Sequence, residues 1–132
     1  MTNLAEMLEK IRSVAALAYK GAKMSQVSRG RIHSTIQSAI NALAPTYALI
    51  GIMEYPLTYN NDKHGDIDVV WLRAKSPVVC IEIDSSIRRK SWHKLLALEA
   101  EAKIWIYYGR KDWRVIREID SHRIINVISL NR

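Results

Sequence analysis

Two carboxylates within apolar, strand-like segments are the residues of this chain best suited to chemistry. Asp68 lies in GDIDVVW, residues 65–71, and Glu82 lies in VVCIEID, residues 78–84. Burying an unpaired charge is costly, so such a carboxylate needs a compensating cation. If the two segments are neighbouring strands, one divalent cation can compensate both. Carboxylate oxygens suit Mg²⁺, for which Mn²⁺ can substitute, and such an ion polarises a phosphoryl group.

A basic segment follows the second carboxylate directly. It contains Arg88, Arg89 and Lys90, with Lys94 four residues later. Lysine and arginine side chains in such a cluster bind phosphates. In the first turn of a predicted helix these cations oppose the helix dipole, but a bound phosphate would reverse that effect. The segment indicates nucleic-acid binding; a solvated basic helix face is the alternative.

The charge distribution favours the same interpretation. The net charge is +7, with +4 on residues 1–44, −3 on residues 45–84 and +6 on residues 85–132. An acidic middle between basic flanks is typical of a metal centre within a phosphate-binding surface. A generic basic protein would share the overall charge but has no need of this distribution.

Composition limits the classes of protein that are compatible with the sequence. The 132 residues, with 48% apolar and 25% charged, fit one domain with its own core. The single cysteine, Cys80, cannot form an internal disulfide or a Cys-rich zinc site. The single cysteine makes a reducing, cytoplasmic setting the simplest expectation. The sequence has no apolar run of about 18 residues, so we expect no membrane span.

Hydrophobic periodicity predicts the elements that position these residues. The predicted order is two helices, three strands, a helix, a fourth strand and a short β tail. The predicted bounds are helices at 3–20, 25–43 and 86–101, strands at 47–57, 66–73, 77–84 and 103–108, and tail strands at 113–118 and 123–128. We therefore expect an α/β fold with a mixed central sheet of four or more strands flanked by helices. Residues 1–24 would be a helical addition, 25–108 the core and 109–132 a β tail.

Strand alternation predicts which side of the sheet carries the acidic side chains. Ile67, Val69 and Trp71 should share one face, with Asp68 on the other. Glu82 should lie on the same side as Asp68, because a short hairpin makes the two strands neighbours. The two carboxylates are thus expected to converge.

These segments, followed by KSWHKL at residues 90–95, resemble the core of the PD-(D/E)xK nuclease superfamily. The resemblance implies a restriction-endonuclease-like core and Mg²⁺-dependent cleavage of DNA, with this chain acting as an endonuclease. By this resemblance, Asp68 matches the metal-binding aspartate and Glu82 the acid of the (D/E)xK element. Many such enzymes are dimers, and the sequence leaves open whether this chain forms a homodimer.

One position departs from the family pattern. The motif lysine, which positions or activates the attacking water, would fall at residue 84, where this chain has aspartate. Lys94 or Lys90 could supply the cation from the following helix, with Lys94 slightly favoured. Asp84 could instead be a third metal ligand or a helix cap. Alternatively, the chain has lost cleavage and only binds nucleic acid, or its basic surface binds an acidic protein.

Three further residues are candidates for the site. Glu54, in the first predicted strand, could add a metal ligand or lie exposed on an edge strand. The family often places a glutamate on the helix before that strand, and this helix has none. His33 and Gln37, one turn apart there, could substitute through a water or contact nucleic acid; solvent exposure of both is the alternative.

Overall fold

A five-stranded mixed sheet with helices on both faces is the frame of the molecule. The computed structural model describes residues 3–131. In chain order the elements are α1 (Leu4–Met24), α2 (Arg29–Asn41), a 3₁₀ turn (Ala44–Tyr47), β1 (Ile50–Tyr59), β2 (Lys63–Arg73), β3 (Ser76–Asp84), α3 (Arg89–Ala97), β4 (Ala102–Tyr107), α4 (Val115–Ile119) and β5 (Asn126–Ser129). The predicted α/β class and the predicted order up to β4 are confirmed.

The sheet combines an antiparallel meander with a parallel half. The strands lie in the order β1-β2-β3-β4-β5. Pairing is antiparallel between β1, β2 and β3, and parallel between β3, β4 and β5. Parallel neighbours need a crossover connection, and α3 and α4 lie in those two connections. The carboxyl ends of β3, β4 and β5 therefore lie at one edge of the sheet.

Two apolar clusters attach the helices to opposite faces. One contains the buried stripes of α1 and α2 packed on residues such as Val69, Trp71 and Ile81. The other contains Leu95 of α3 and Ile116 of α4. The buried residues of α1 recur every three or four positions, as an amphipathic helix requires: Met7, Ile11, Ala15, Tyr19 and Ala22. Within residues 3–131, no helix is long and apolar enough to span a bilayer.

Several predicted bounds are wrong. Helix α1 continues through Gly21 to Met24, whereas α2 begins only after Ser28, whose hydroxyl accepts the backbone N–H of Arg31. Helix α3 ends at Ala97 because the backbone at Leu98 is extended.

The tail is also different from the prediction. The strand expected at 113–118 is wrong, since Val115–Ile119 is a helix with Ile116 buried. Trp113 and Val115 are two residues apart, which fits a strand, whereas Ile119 follows Ile116 by three residues and Val115 by four, which fits a helix. The second tail strand exists as β5, parallel to β4.

Candidate metal centre

The two carboxylates lie where the pairing of β2 with β3 ends. The last regular pair at this end joins Val69 to Ile81. Beyond it, Glu82 Oε2 accepts the backbone N–H of Asp68 at 2.9 Å. In return, Asp68 Oδ2 accepts the backbone N–H of Ile83 at 2.8 Å. The expected convergence of the two acidic groups is present; their binding of a metal stays a prediction.

Strand alternation changes at the same residue. Val69 and Trp71 pack with α1 and α2, but Ile67 belongs to the cluster on the opposite face. The expectation that Ile67 shares a face with Val69 is therefore wrong. Glu54 lies in β1 between Met53 and Tyr55, which pair with Val69 and Ile67 of β2, and it has φ of 55°. This left-handed residue coincides with the change of face on β2.

One oxygen of each carboxylate is left unused by the backbone hydrogen bonds. These are Asp68 Oδ1 and Glu82 Oε1. The side chain of Glu82 is only 3% exposed. Burial, and then the nearby negative charge of Asp68, raises the pKa of Glu82 to about 8. A cation between the two groups would relieve this penalty.

Lys94 is the cation that the fold places beside Glu82. Its Nζ lies 3.6 Å from Glu82 Oε1 and donates to the backbone carbonyl of Asp66 at 2.7 Å. The Lys94 side chain is 13% exposed, so little water screens its charge. Lys90, the other candidate, is exposed and forms no ion pair within residues 3–131.

Asp84, at the position of the motif lysine, is held by neighbouring side chains. Its Oδ2 accepts the hydroxyl of Ser91 at 2.5 Å and the indole N–H of Trp105 at 2.9 Å. Burial raises the pKa of Asp84, and the hydroxyl of Ser91 opposes that shift. The interpretation of Asp84 as a helix cap is wrong, since α3 begins at Arg89 and has no side-chain cap. Asp84 instead fastens the end of β3 to α3 and β4.

Helix α2 contacts the carboxylate pair through His33. Its Nε2 lies 3.4 Å from Asp68 Oδ2. The hydrogen bond to the Asp68 carboxylate raises the pKa of His33, against the opposing effect of burial. His33 therefore adds an imidazole next to Asp68 that takes up a proton more readily than a free histidine does.

Gln37 is a buried link rather than an exposed side chain. It is 8% exposed, and its amide nitrogen donates to Glu54 Oε2 at 2.5 Å and to the carbonyl of Asp68 at 2.9 Å. The alternative of solvent exposure is thus wrong for Gln37. Glu54 contacts this amide, through which it supports the backbone of Asp68.

A small polar cavity of about 170 Å³ lies over the pair. Arg88 and Lys90 of the basic segment are in its wall, whereas Arg89 faces a neighbouring cleft. Sequence reasoning missed Ser91 and Trp105, which complete this region. Apolar periodicity on α3 and β4 assigned them to helix and strand packing, and nothing local in the sequence marks them as polar partners.

Comparison of the chain with protein-family models, with curated proteins and with solved structures finds no match. Membership of the nuclease superfamily therefore stays a prediction from the motif. In the part of the chain the structure describes, no three His, Cys, Asp or Glu side chains form a metal-binding group by themselves. The donor set nevertheless fits Mg²⁺, which commonly takes one or two carboxylates and completes its shell with waters and phosphate.

Proposed function

We propose that this protein is a Mg²⁺-dependent nuclease that hydrolyses phosphodiester bonds of DNA. The observation that carries the proposal is the interlocked pair of Asp68 and Glu82, with Lys94 Nζ 3.6 Å from Glu82 Oε1. Two acids and one lysine in contact are the group that the PD-(D/E)xK resemblance calls for. The order helix, three strands, helix and strand supports a restriction-endonuclease-like core.

The roles of the two acids follow from their unused oxygens. Asp68 and Glu82 would hold Mg²⁺, or Mn²⁺ in its place. When bound, such an ion polarises the phosphoryl group and favours deprotonation of water. Both carboxylates are fixed by backbone N–H groups, so they need little rearrangement to act as ligands.

Lys94 takes the role that the motif lysine has elsewhere in the superfamily. Its ammonium group can orient the attacking water or stabilise charge developing on the phosphate. Its contact with the Asp66 carbonyl fixes the end of a long flexible side chain. Arg88 and Lys90, in the wall of the cavity, would bind phosphates next to the scissile bond.

A non-catalytic nucleic-acid-binding module is the second candidate. Asp84 favours it, because a carboxylate stands where the motif has lysine and adds negative charge near the acidic pair. In that case the basic segment would bind DNA without cleavage. Oligomeric state is open for both candidates.

The test is cleavage of supercoiled, linear and branched DNA with Mg²⁺, Mn²⁺ or EDTA. We expect cleavage with either metal, none with EDTA, and none from Asp68→Asn or Glu82→Gln. Glu101→Gln is the matched control, since Glu101 is an exposed carboxylate paired with Arg73 away from the site. Full activity in either site variant would reject the metal site. DNA binding without cleavage under all metals would establish the binding module instead.

A further inference from the structure

A cleft of about 870 Å³ opens beside the small cavity of the carboxylate pair. The two share Ser85, Ser86 and Tyr108 in their walls, so a ligand can run from one into the other. The cleft lies beyond the carboxyl ends of β3 and β4, between the end of α1, the start of α2, and α4. In open α/β sheets this edge is the usual place for ligands.

The rim of this cleft carries an excess of positive charge. Among the residues that the structure describes, Glu118 is the one acidic side chain in its lining. No cation of the rim forms an ion pair within residues 3–131. The five basic residues of the rim, which together define the basic cleft, are Lys23, Arg29, Arg89, Arg110 and Lys111. Unpaired cations around one depression favour a polyanion.

Part of the lining of the basic cleft is apolar, and we call this part its floor. Ile32, Ile87, Val115 and Ile119 line it, and Val115 is 40% exposed. A duplex has its bases stacked inside and presents phosphates and sugars, so an apolar floor adds little to its binding. An unpaired strand presents bases to an apolar floor and phosphates to a basic rim at the same time. The combination therefore favours a single strand.

The walls of the cleft are held in contact at Gly109. A methyl group at this buried position would collide with the backbone carbonyl of Ser85 and with the ring of Tyr107. The segment after β4 thus lies directly against the loop that follows β3. This contact sets the junction between the basic cleft and the cavity of the carboxylate pair.

We propose that the basic cleft binds an unpaired nucleic-acid strand that continues from a phosphate placed beside the proposed metal site of Asp68 and Glu82. The inference rests on the proposed function for its nucleic-acid substrate and adds the strand state. Substrates with a single-stranded segment next to the scissile bond would then be preferred over a fully paired duplex.

The experiment is equilibrium binding in EDTA, where no cleavage occurs. Fluorescence anisotropy would follow a labelled single strand of about 16 nucleotides, the upper site size of common single-strand binders, and the matching duplex. The test variant is Arg110→Glu with Lys111→Glu, both exposed. The control is Lys10→Glu with Lys63→Glu, which changes the net charge equally at exposed positions outside the cleft. Thermal unfolding would verify that both variants fold.

We expect the single strand to bind at least about tenfold more tightly than the duplex, because only unpaired bases can contact the apolar floor. The variant with Arg110→Glu and Lys111→Glu should bind the single strand about tenfold or more weakly than wild type. The slope of log affinity against log salt concentration should become shallower by about 1.4, which is about 0.7 for each of two lost phosphate contacts. Equal binding of duplex, or equal loss in the control, would overturn the proposal.

This outcome is separable from that of the nuclease assay. The binding assay contains EDTA, so its result does not depend on whether the protein cleaves DNA. Cleavage with no effect of the Arg110 and Lys111 variant would refute the cleft and keep the nuclease. Selective binding of the single strand without cleavage would keep the cleft and refute the nuclease.

Discussion

Glu82 accepts the backbone N–H of Asp68, while Asp68 accepts the backbone N–H of Ile83, the residue after Glu82. Each acid therefore completes the backbone hydrogen bonding of the strand that carries the other. The two side chains take over where the regular pairing of β2 with β3 stops. The carboxylates of the candidate site thus also complete the hydrogen bonding at the end of the β2–β3 pairing. Substitutions of these acids should therefore affect stability as well as catalysis.

A substitution that removes the Asp68 carboxylate oxygen, which accepts the N–H of Ile83, should lower the unfolding free energy more than one that keeps an oxygen there. Asp68→Ala leaves the N–H of Ile83, a residue only 1% exposed, without its partner. We expect the free energy of unfolding to fall by about 1–3 kcal/mol. Asp68→Asn keeps an oxygen there and should cost less than about 1 kcal/mol. Urea unfolding measures both, and equal losses would contradict the hydrogen bond.

Glu82 should make the metal-free protein less stable as the pH rises. Its pKa is raised from 4.5 in the unfolded chain to about 8 in the fold, so folding favours the uncharged acid. The stabilising effect is complete below about pH 4.5 and is lost as the pH rises to about 8. In EDTA, wild type should lose more stability than Glu82→Gln between pH 6 and 9. Parallel curves of unfolding free energy against pH for the two proteins would refute the raised pKa of Glu82. Recovery of wild-type stability on addition of Mg²⁺ at pH 9 would support metal binding.

Lys94 should matter far more for cleavage than Lys90. Only Lys94 lies close to Glu82 and is largely buried. We expect Lys94→Ala to lower the single-turnover rate by about 10²–10⁴-fold. Lys90→Ala, which removes a screened surface charge, should lower it by less than about tenfold. Similar losses in the two variants would show that the motif lysine is not replaced by Lys94.

Restoring the motif lysine by Asp84→Lys should not restore a better enzyme. The substitution removes the acceptor of the Trp105 indole N–H, and Trp105 is fully buried. We expect a loss of about 1–3 kcal/mol in unfolding free energy. Cleavage should not increase.

Asp84→Asn, which keeps an oxygen for Ser91 and Trp105, is the matched control and should remain close to wild type in both stability and rate. A faster Asp84→Lys enzyme of normal stability would contradict this view of Asp84.

Local sequence patterns predicted that the two acidic side chains meet, but not the irregular backbone around them. Period-two alternation and a short hairpin were enough to bring Asp68 and Glu82 together. They could not predict the change of face at Ile67, which coincides with an irregular residue, Glu54, in the neighbouring strand. The backbone of Glu54 is left-handed, and its side chain is bonded to Gln37, 17 residues earlier.

The sequence also could not predict hydrogen bonds between residues far apart in the chain, because these depend on how the elements pack. Trp105 looks like a core residue, and it is one, yet its single N–H fixes Asp84 on the adjacent strand. The distinction between Lys94 and Lys90 likewise needed the position of α3 over β2, where Lys94 meets the carbonyl of Asp66. Helix periodicity gives both lysines one face but not their distance to Glu82.

The parallel half of the sheet has a consequence for the order in which the chain folds. Strands β1, β2 and β3 can pair through short turns as soon as they are synthesised, but β4 joins β3 only after the crossover through α3. The entropy of closing this loop is lost before the contacts between β3 and β4 can stabilise the chain. Trp105 reaches Asp84 only at that step. We therefore expect nascent chains that end before β4 to have the hairpin of Asp68 and Glu82 without its final neighbours.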